Sequence, residues 1–296
     1  MSAPSPAAPS MWTVGEALRR AAALLASAGV EEPRLEAELL LLACASTDKP
    51  LTQASDEGGH RMAQLACAST DKPLTRASDG GSRLDLYRDP DYALAPSIIS
   101  RFDETVRRRA AGEPLQYVRG WEEFAGFRLD VGPGVLVPRP ETEWLAERAV
   151  THLRAVAGTR SGPPWFLELG TGSGGVAIAL AGAVERAIGV AIDCSADALA
   201  VARRNVARHG LAGRIQLMRG DLCAALKHTD RFDLIVANLP YVPTSDIAGL
   251  QAQVRDWEPR LALDGGPDGL RLIGRLLRTA GPLLSAGGRL MLEIGA

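Results

Sequence analysis

Short apolar runs alternate with helical patterns from residue 165 to the end of the chain. The runs are too short for helices, and each is followed by a polar residue or a glycine, so they predict strands of a buried sheet. Strands that alternate with helices form a parallel sheet with crossover helices, which predicts an α/β fold. The predicted strands are 166–169, 187–192, 215–218, 232–237 and 289–294.

The first predicted strand is followed by a glycine turn, residues 170–175, with the sequence G-T-G-S-G-G. Glycines there let backbone N–H groups approach a ligand at the positive end of the next helix. The turn also matches the dinucleotide pattern G-x-G-x-x-G, so a nicotinamide-dependent oxidoreductase is one alternative. Glu168 precedes the turn and argues against a pyrophosphate, because two negative groups would repel each other. An acid there suits the ammonium group of a cofactor that carries an amino acid.

Polar residues also follow the next three strands, which end at Asp193, at Gly220-Asp221 and at Asn238. The carboxyl ends of parallel strands meet at one edge of a sheet, where α/β proteins bind their ligands. Asp193 lies about twenty residues beyond the glycine turn, a spacing that suits hydrogen bonds to ribose hydroxyls. Asp221 could accept a hydrogen bond from an adenine amino group. Together these residues predict a pocket for a nucleoside joined to an amino acid.

The fourth strand stops at a proline turn, residues 238–243, with the sequence N-L-P-Y-V-P. Two prolines within four residues favour a stiff turn over a continued strand or helix. A planar amide, a proline carbonyl and an aromatic ring are therefore presented at the end of a buried strand. The motif alone fits an ordinary turn equally well; the neighbouring strand ends favour a site.

The part of the chain before residue 113 has a helical pattern. Thr13 and Glu16 form a predicted capping box, followed by a helix that ends at Gly29. A second helix begins near Pro33, and a third spans 97–111 and ends in three arginines, which predict a solvated helix end. Residues 1–11 are rich in Ser, Ala and Pro and predict a disordered tail. We therefore expect a helical domain over 12–112.

A tandem duplication interrupts this helical domain. Residues 42–56 recur as 65–79 with one difference, and their Ser, Thr, Asp and Pro content predicts a loop. We assign no chemistry to this duplicated segment, about 42–81. In residues 113–140, apolar residues alternate with others on both sides of the Gly-Pro-Gly sequence at 132–134, which predicts a linking β-hairpin. Residues 141–296 form the predicted α/β domain.

The overall composition excludes several classes of protein. Of 296 residues, 46% are hydrophobic and 23% charged, as in a globular protein, and a net charge of −2 argues against a nucleic-acid partner. Four cysteines without a C-x-x-C pair argue against a zinc site and for a reducing, cytoplasmic compartment. No apolar run has the length of a membrane span.

The motifs at the strand ends resemble those of class I S-adenosylmethionine-dependent methyltransferases of the Asn-x-Pro-Tyr group. Three further stretches, 109–117, 137–143 and 258–266, together with the helical N-terminal domain, resemble the HemK/PrmC family of peptide chain release factor glutamine N5-methyltransferases. The resemblance implies a Rossmann-like methyltransferase sheet and a cytoplasmic enzyme that supports translation termination. Its implied partner is a release factor, without nucleic acid, membrane or metal.

The resemblance also implies roles for individual residues. The substrate would be the glutamine of the Gly-Gly-Gln loop, bound by Asn238, Leu239, Pro240 and Tyr241, of which Asn238, Pro240 and Tyr241 would be catalytic. S-adenosylmethionine would be bound by Glu168, Gly170, Thr171, Gly172, Ser173, Gly174, Asp193, Asp221, Leu222 and Asn238.

The chemistry expected of such a site follows from the substrate. An amide nitrogen is a poor nucleophile because its lone pair is delocalised into the carbonyl. The Asn238 Oδ1 atom and the carbonyl of Leu239 or Pro240 could accept both amide hydrogens, and Tyr241 could pack against the flat amide. Catalysis would come from positioning and preorganised dipoles, without a strong base.

The chain departs from the family at three points. Leu239 stands where the family commonly has proline, and Asn-Leu-Pro-Tyr also occurs in rRNA adenine dimethyltransferases. Leu222 is smaller than the side chain often found there. The family sheet continues past its fifth strand, whereas this chain stops at Ala296, so we expect a C-terminally truncated sheet that lacks its last strands. The alternatives are glutamine methylation of a ribosomal protein, adenine methylation of nucleic acid, or an inactive binder of release factor.

Overall fold

The computed structural model describes residues 12–45, 83–159, 161–224, 226–227 and 231–295. The chain divides into two compact units, Met1–Arg119 and Gly120–Ala296. The predicted tail and nearly all of the duplicated segment lie outside the described residues. Residues 42–45, the first of that segment, are helical, so the loop prediction is wrong for them.

The first unit is helical, as predicted. The predicted capping box is confirmed: the Glu16 amide donates to the Thr13 hydroxyl, and the Thr13 amide donates to the Glu16 carboxylate. The three predicted helices are present, and two short helices that the sequence did not predict join them. The helices are α1 (Val14–Ser27), α2 (Pro33–Ala45), α3 (Arg83–Arg88), α4 (Pro96–Ala110) and α5 (Leu115–Arg119).

The three arginines at the end of α4 behave differently from one another. Arg107 is exposed, as expected of a solvated helix end. Arg109 is only 11% exposed and forms a salt bridge of 2.5 Å with Glu36 on α2, and Arg108 pairs with Glu113. The prediction of a solvated end is therefore wrong for Arg109, because an acid on another helix pairs with it.

A buried acid, Glu38, ties α3 to α2. Its carboxylate accepts hydrogen bonds from Arg34, from Arg83 and from the Tyr87 hydroxyl. Burial raises the pKa of Glu38, but the hydrogen bonds from Tyr87, Arg83 and Arg34 outweigh it and leave the pKa below its usual value. Glu38 thus connects residues on both sides of the duplicated segment, and its charge is compensated within the first unit.

The second unit begins with a β-hairpin formed by β1 (Trp121–Phe124) and β2 (Phe127–Asp130). Its turn consists of Ala125 and Gly126, with φ of 49° and 79°. Positive φ at both central residues matches the twist of a two-residue hairpin. A hairpin is therefore confirmed, but its predicted turn at 132–134 is wrong. A positive φ at an alanine is uncommon and was not predicted.

A five-stranded parallel sheet forms the centre of the second unit and confirms the predicted Rossmann-like α/β fold. The strand order is β5-β4-β3-β6-β9, so the chain runs outward from β3 on one side and then returns to β6 on the other. The carboxyl ends of β3 and β6 flank this reversal, where a crevice for a ligand forms. The strands are β3 (Trp165–Leu169), β4 (Ile188–Asp193), β5 (Ile215–Arg219), β6 (Phe232–Asn238) and β9 (Leu284–Glu293).

The helices and two very short strands of this unit complete the architecture. The last two residues of the proline turn form strand β7 (Val242–Pro243), which pairs with β8 (Asp264–Gly266); neither short strand was predicted. No helix in the described ranges is long and apolar enough to cross a membrane. The helices are α6 (Pro140–Thr159), α7 (Gly175–Ala183), α8 (Ala196–Arg208), α9 (Ala252–Arg255) and α10 (Arg271–Ala280).

Candidate active site

A cavity of about 510 Å³ lies at the carboxyl ends of the central strands. It contains most of the residues that the sequence singled out, whereas Gly174 and Tyr241 are not among its lining residues. No group of three or more side chains suited to hold a metal ion occurs in the described part of the chain. The predicted residues that line the cavity are Glu168, Gly170, Thr171, Gly172, Ser173, Asp193, Asp221, Leu222, Asn238, Leu239 and Pro240.

The glycine turn packs directly against the proline turn. A Cβ atom at Gly170 would lie 3.2 Å from the Leu239 side chain and 3.3 Å from the Asn238 carbonyl oxygen, and its φ of 73° also favours glycine, so the two turns approach closely at a position suited to glycine. Gly174 caps α7 in the left-handed conformation, with φ of 87°. It shapes the turn without lining the cavity.

Glu168, the penultimate residue of β3, is buried beside the glycine turn. Its Oε2 atom accepts hydrogen bonds from the Thr171 hydroxyl at 2.6 Å and from the Ala177 amide at 3.1 Å. Burial raises the pKa of Glu168 to about 8, although these two hydrogen bonds lower it, and the charge of Asp193 raises it further. A cation beside this carboxyl would stabilise its ionised form.

Asp193 is fixed at the end of β4 by two backbone amides. Its Oδ2 atom accepts from Gly172 and its Oδ1 atom from Ser195, each at 2.9 Å. Each carboxylate oxygen can accept a second hydrogen bond, so both can still receive hydroxyl donors. The sequence therefore identified a carboxylate that the fold holds in one orientation at the cavity wall.

Asp221 and Leu222 also line the cavity. Asp221 is half-exposed and forms a salt bridge of 2.7 Å with Arg275 on α10. Leu222 has φ of 50°, a conformation that costs an L-residue about 1–2 kcal/mol. Such strain is typical of binding sites, where the surrounding structure fixes the backbone.

The side chain of Asn238 has a partner that sequence reasoning did not single out. Its Nδ2 atom donates to the Thr142 hydroxyl at 2.9 Å, and its Oδ1 atom receives no hydrogen bond from any residue that the structure describes. Thr142 is buried in the first turn of α6 and also lines the cavity. Its location within the 137–143 stretch was the only signal in the sequence.

The backbone of the proline turn rests on two glycines near β8. A Cβ atom at Gly265 would lie 2.8 Å from the Pro240 carbonyl oxygen, and one at Gly269 would collide with the Tyr241 carbonyl. Both positions therefore require glycine because the chains approach so closely. These contacts fix the carbonyl groups of the turn.

Tyr241 lies near the end of β9. Its ring is close to Gly295, where an added Cβ atom would come within 3.0 Å. Burial raises the pKa of the Tyr241 hydroxyl, and the negative charges of Glu293 and Glu141 raise it further. Packing of Tyr241 against a substrate amide stays a prediction.

Two stretches that lie about 120 residues apart are joined by Glu258, a buried acid. Its carboxylate accepts a hydrogen bond from the Val137 amide at 3.3 Å and one from the Arg139 side chain at 2.6 Å. Burial raises the pKa of Glu258, whereas the charge of Arg139 lowers it. Residues 137–143 and 258–266 therefore form one wall of the cavity.

Asn205 is a second residue that the sequence did not reveal. It is fully buried on α8, where its side chain accepts from the Asp130 amide and donates to the carbonyl groups of Asp130 and Ser173. These three hydrogen bonds connect the hairpin to the glycine turn. Asparagine in a helix carries no sequence signal for such a role.

Two family profiles match the chain. The profile of the PrmC N-terminal domain matches residues 16–57 and 74–120, and that of a methyltransferase domain matches residues 166–257. The first match is interrupted at 58–73, which falls inside the duplicated segment.

Relatives match nearly the whole chain. The release factor glutamine methyltransferase of Moorella thermoacetica is 40% identical over 284 residues, which cover 96% of this chain and 84% of the relative. The protein of the same name from Geobacter sulfurreducens is 37% identical over 287 residues, covering 97% and 86%. That from Chlorobaculum tepidum is 37% identical over 290 residues, covering 97% and 86%. The chain, with a methyltransferase domain and strand-end residues gathered in one cavity, therefore belongs to the release factor glutamine methyltransferase family.

Proposed function

We propose that this protein methylates the side-chain amide nitrogen (N5) of the glutamine in the Gly-Gly-Gln motif of peptide chain release factors, with S-adenosylmethionine as methyl donor. Membership of the family supports the substrate class. One observation carries the chemistry: the Asn238 Nδ2 atom donates a hydrogen bond to the Thr142 hydroxyl. The Asn238 Oδ1 atom is thereby left as a hydrogen-bond acceptor in the cavity that Glu168 also lines.

The cavity-lining residues fit S-adenosylmethionine, which supplies a methyl group on a positively charged sulfonium. Glu168 is a buried carboxyl that favours a cationic partner, and it would hold the ammonium group. Asp193 keeps acceptor capacity on both oxygens for ribose hydroxyls. Asp221 and Leu222 would hold the adenine, and Leu222 offers it only an aliphatic surface.

The proline turn supplies acceptors for the substrate amide. The Asn238 Oδ1 atom and the Pro240 carbonyl would each accept one N–H, which orients the nitrogen lone pair toward the methyl donor. The close packing of Gly265 against the Pro240 carbonyl supports this proposal, because it would hold the acceptor in place before the substrate arrives. No histidine lines the cavity in the described residues. None is required, because an alkylated amide nitrogen is acidic enough to lose its proton to water.

Transfer of a radiolabelled methyl group to purified release factor tests this proposal. We expect wild-type protein to label the release factor, Asn238→Ala to abolish labelling, and a release factor without the Gly-Gly-Gln glutamine to stay unlabelled. Arg204→Ala is a matched control, because Arg204 is exposed on α8 and, among the residues that the structure describes, its side chain donates a hydrogen bond to the Ala200 carbonyl of its own helix.

Three outcomes would contradict the proposal. Labelling of RNA, but not of release factor, would indicate adenine methylation. Labelling of a ribosomal protein alone would indicate the same glutamine methylation on a different protein substrate. Release-factor binding without any transfer would indicate a binder without catalytic activity.

A further inference from the structure

We propose that Thr142 is a positioning residue for methyl transfer, because its hydroxyl determines which end of the Asn238 side-chain amide faces the substrate. This inference rests on the proposed function, in which Asn238 accepts a hydrogen bond from the glutamine amide. It adds a residue outside the proline turn to the machinery that orients the substrate.

The orientation of the Asn238 amide decides whether it can act. Half a rotation about its last bond exchanges the NH₂ group and the oxygen, and only the oxygen can accept an N–H of the substrate. The Nδ2 atom donates to the Thr142 hydroxyl oxygen at 2.9 Å. The oxygen is then left for the substrate, and it receives no other hydrogen bond from the residues that the structure describes.

Thr142 is itself held firmly. It is 6% exposed, and its amide donates to the Arg139 carbonyl at 3.1 Å. The Arg139 side chain in turn pairs with the buried carboxylate of Glu258 at 2.6 Å. A β-branched side chain has few rotamers, so the hydroxyl stays in place. A connected series of contacts from Glu258 through Thr142 thus reaches Asn238.

Two variants at position 142 distinguish the role of the hydroxyl group from the role of side-chain packing. Thr142→Val keeps the shape of the side chain and removes the oxygen that accepts from Asn238. Thr142→Ser keeps the oxygen and removes a methyl group. If the hydroxyl orients Asn238, only the valine variant should lose activity; if residue 142 only fills space, the serine variant should suffer more.

Steady-state methylation of release factor tests the inference. We expect Thr142→Val to lower kcat roughly tenfold to a hundredfold, since a small misplacement of a catalytic group has effects of this size. Thr142→Ser should stay within about threefold of wild type, consistent with a retained acceptor. The dissociation constant of S-adenosylmethionine should change much less than kcat among the three proteins, because the substitutions at Thr142 leave Glu168 and Asp193 in place. Thermal unfolding sets an assay temperature at which every variant is folded.

A spectroscopic readout tests the contact without turnover. The side-chain NH₂ group of Asn238 gives a pair of proton–nitrogen NMR signals, which can be assigned by their loss in Asn238→Ala. We expect one of these protons to exchange slowly with solvent in wild type and in Thr142→Ser, and rapidly in Thr142→Val.

Two kinetic results would overturn the inference: a valine variant with wild-type kcat, or a serine variant as impaired as the valine variant. Unchanged exchange of the Asn238 amide in Thr142→Val would also overturn it. Absence of transfer by the wild-type protein would instead refute the proposed function, while the NMR experiment would still decide whether Thr142 orients Asn238.

Discussion

The buried carboxyl of Glu168 should make cofactor affinity depend on pH. Burial raises its pKa to about 8, so at neutral pH the cofactor-free protein holds Glu168 mainly protonated. An ammonium group binds to the ionised form. With a pKa of about 8, the ionised fraction falls from about one tenth at pH 7 to about one hundredth at pH 6, a range in which an α-ammonium group stays charged, so we expect binding to weaken about tenfold.

The same shift predicts the effect of Glu168 on stability. The folded pKa lies above the ordinary value of 4.5, so between pH 4.5 and pH 8 the folded state keeps a proton that the unfolded state has lost. Stability therefore falls as the pH rises through this window. At pH 7 the penalty is about 3 kcal/mol, from about 2.5 pH units at 1.36 kcal/mol each.

Glu168→Gln should have opposite effects on the two properties. The glutamine oxygen can still accept from Thr171 and Ala177, and the cost of ionisation disappears. We expect the cofactor-free variant to resist urea better than wild type at pH 7, by about 3 kcal/mol, and equally near pH 4.5. Its affinity for S-adenosylmethionine should be weaker and independent of pH between 6 and 7, where the ammonium group of the cofactor stays charged.

Titration calorimetry at pH 6, 7 and 8 measures the affinities, and buffers of different ionisation enthalpy reveal the proton released on binding. Urea unfolding measures the stabilities. Glu185→Gln replaces an exposed acid in the same unit and should change neither property. Wild-type affinity that does not vary with pH, or a glutamine variant less stable than wild type at pH 7, would refute this reasoning.

Three further changes test other parts of the molecule. Gly265→Ala would place a methyl group 2.5 Å from the Gly269 carbonyl oxygen and 2.8 Å from that of Pro240, so it would displace the backbone that supports the proline turn. We expect kcat to fall at least about tenfold while the affinity for S-adenosylmethionine is retained, as measured by kinetics and calorimetry. Asn205→Ala removes three buried hydrogen bonds and should cost roughly 2–4 kcal/mol in urea unfolding. Glu38→Gln removes a carboxylate whose pKa is held below its usual value. The ionised carboxylate therefore stabilises the folded state above pH 4.5, and this stabilisation is lost as the pH falls. Urea unfolding should show a loss at pH 7 that shrinks toward pH 3.

Each of these expectations has a result that contradicts it. Unchanged kcat in Gly265→Ala would mean that the Pro240 carbonyl needs no support from residue 265. Wild-type stability of Asn205→Ala would mean that water replaces the lost partners. A loss in Glu38→Gln that does not vary with pH would show that its charge contributes nothing.

The strand-end residues could be predicted because a parallel sheet brings the ends of its strands to one edge. Glu168, Asp193 and Asn238 each lie at or beside the end of an apolar run that is recognisable in isolation. The alternation of strands and helices places these three ends at the same edge of the sheet. The glycine turn could be located in the same way, because its residues are contiguous and glycine itself indicates where the backbone can adopt positive φ.

Contacts between distant segments could not be predicted. Thr142 and Asn238 are 96 residues apart in the chain, and nothing in either neighbourhood specifies the other. The same holds for Glu258, which contacts residues about 120 positions earlier, and for Arg109, whose partner lies on another helix. The hairpin turn was misplaced because Ala125 adopts a conformation that tertiary packing, not residue type, selects.

The support of the proline turn has a consequence for engineering. Thr142 holds the Asn238 side chain, and Gly265 and Gly269 hold the backbone of the turn. Glu258 connects the segments that carry these two supports. A transplant of residues 238–243 alone into another methyltransferase would carry the motif without its geometry. The transplantable module is discontinuous: residues 137–142, 238–243 and 258–269, which have to be moved together and in register.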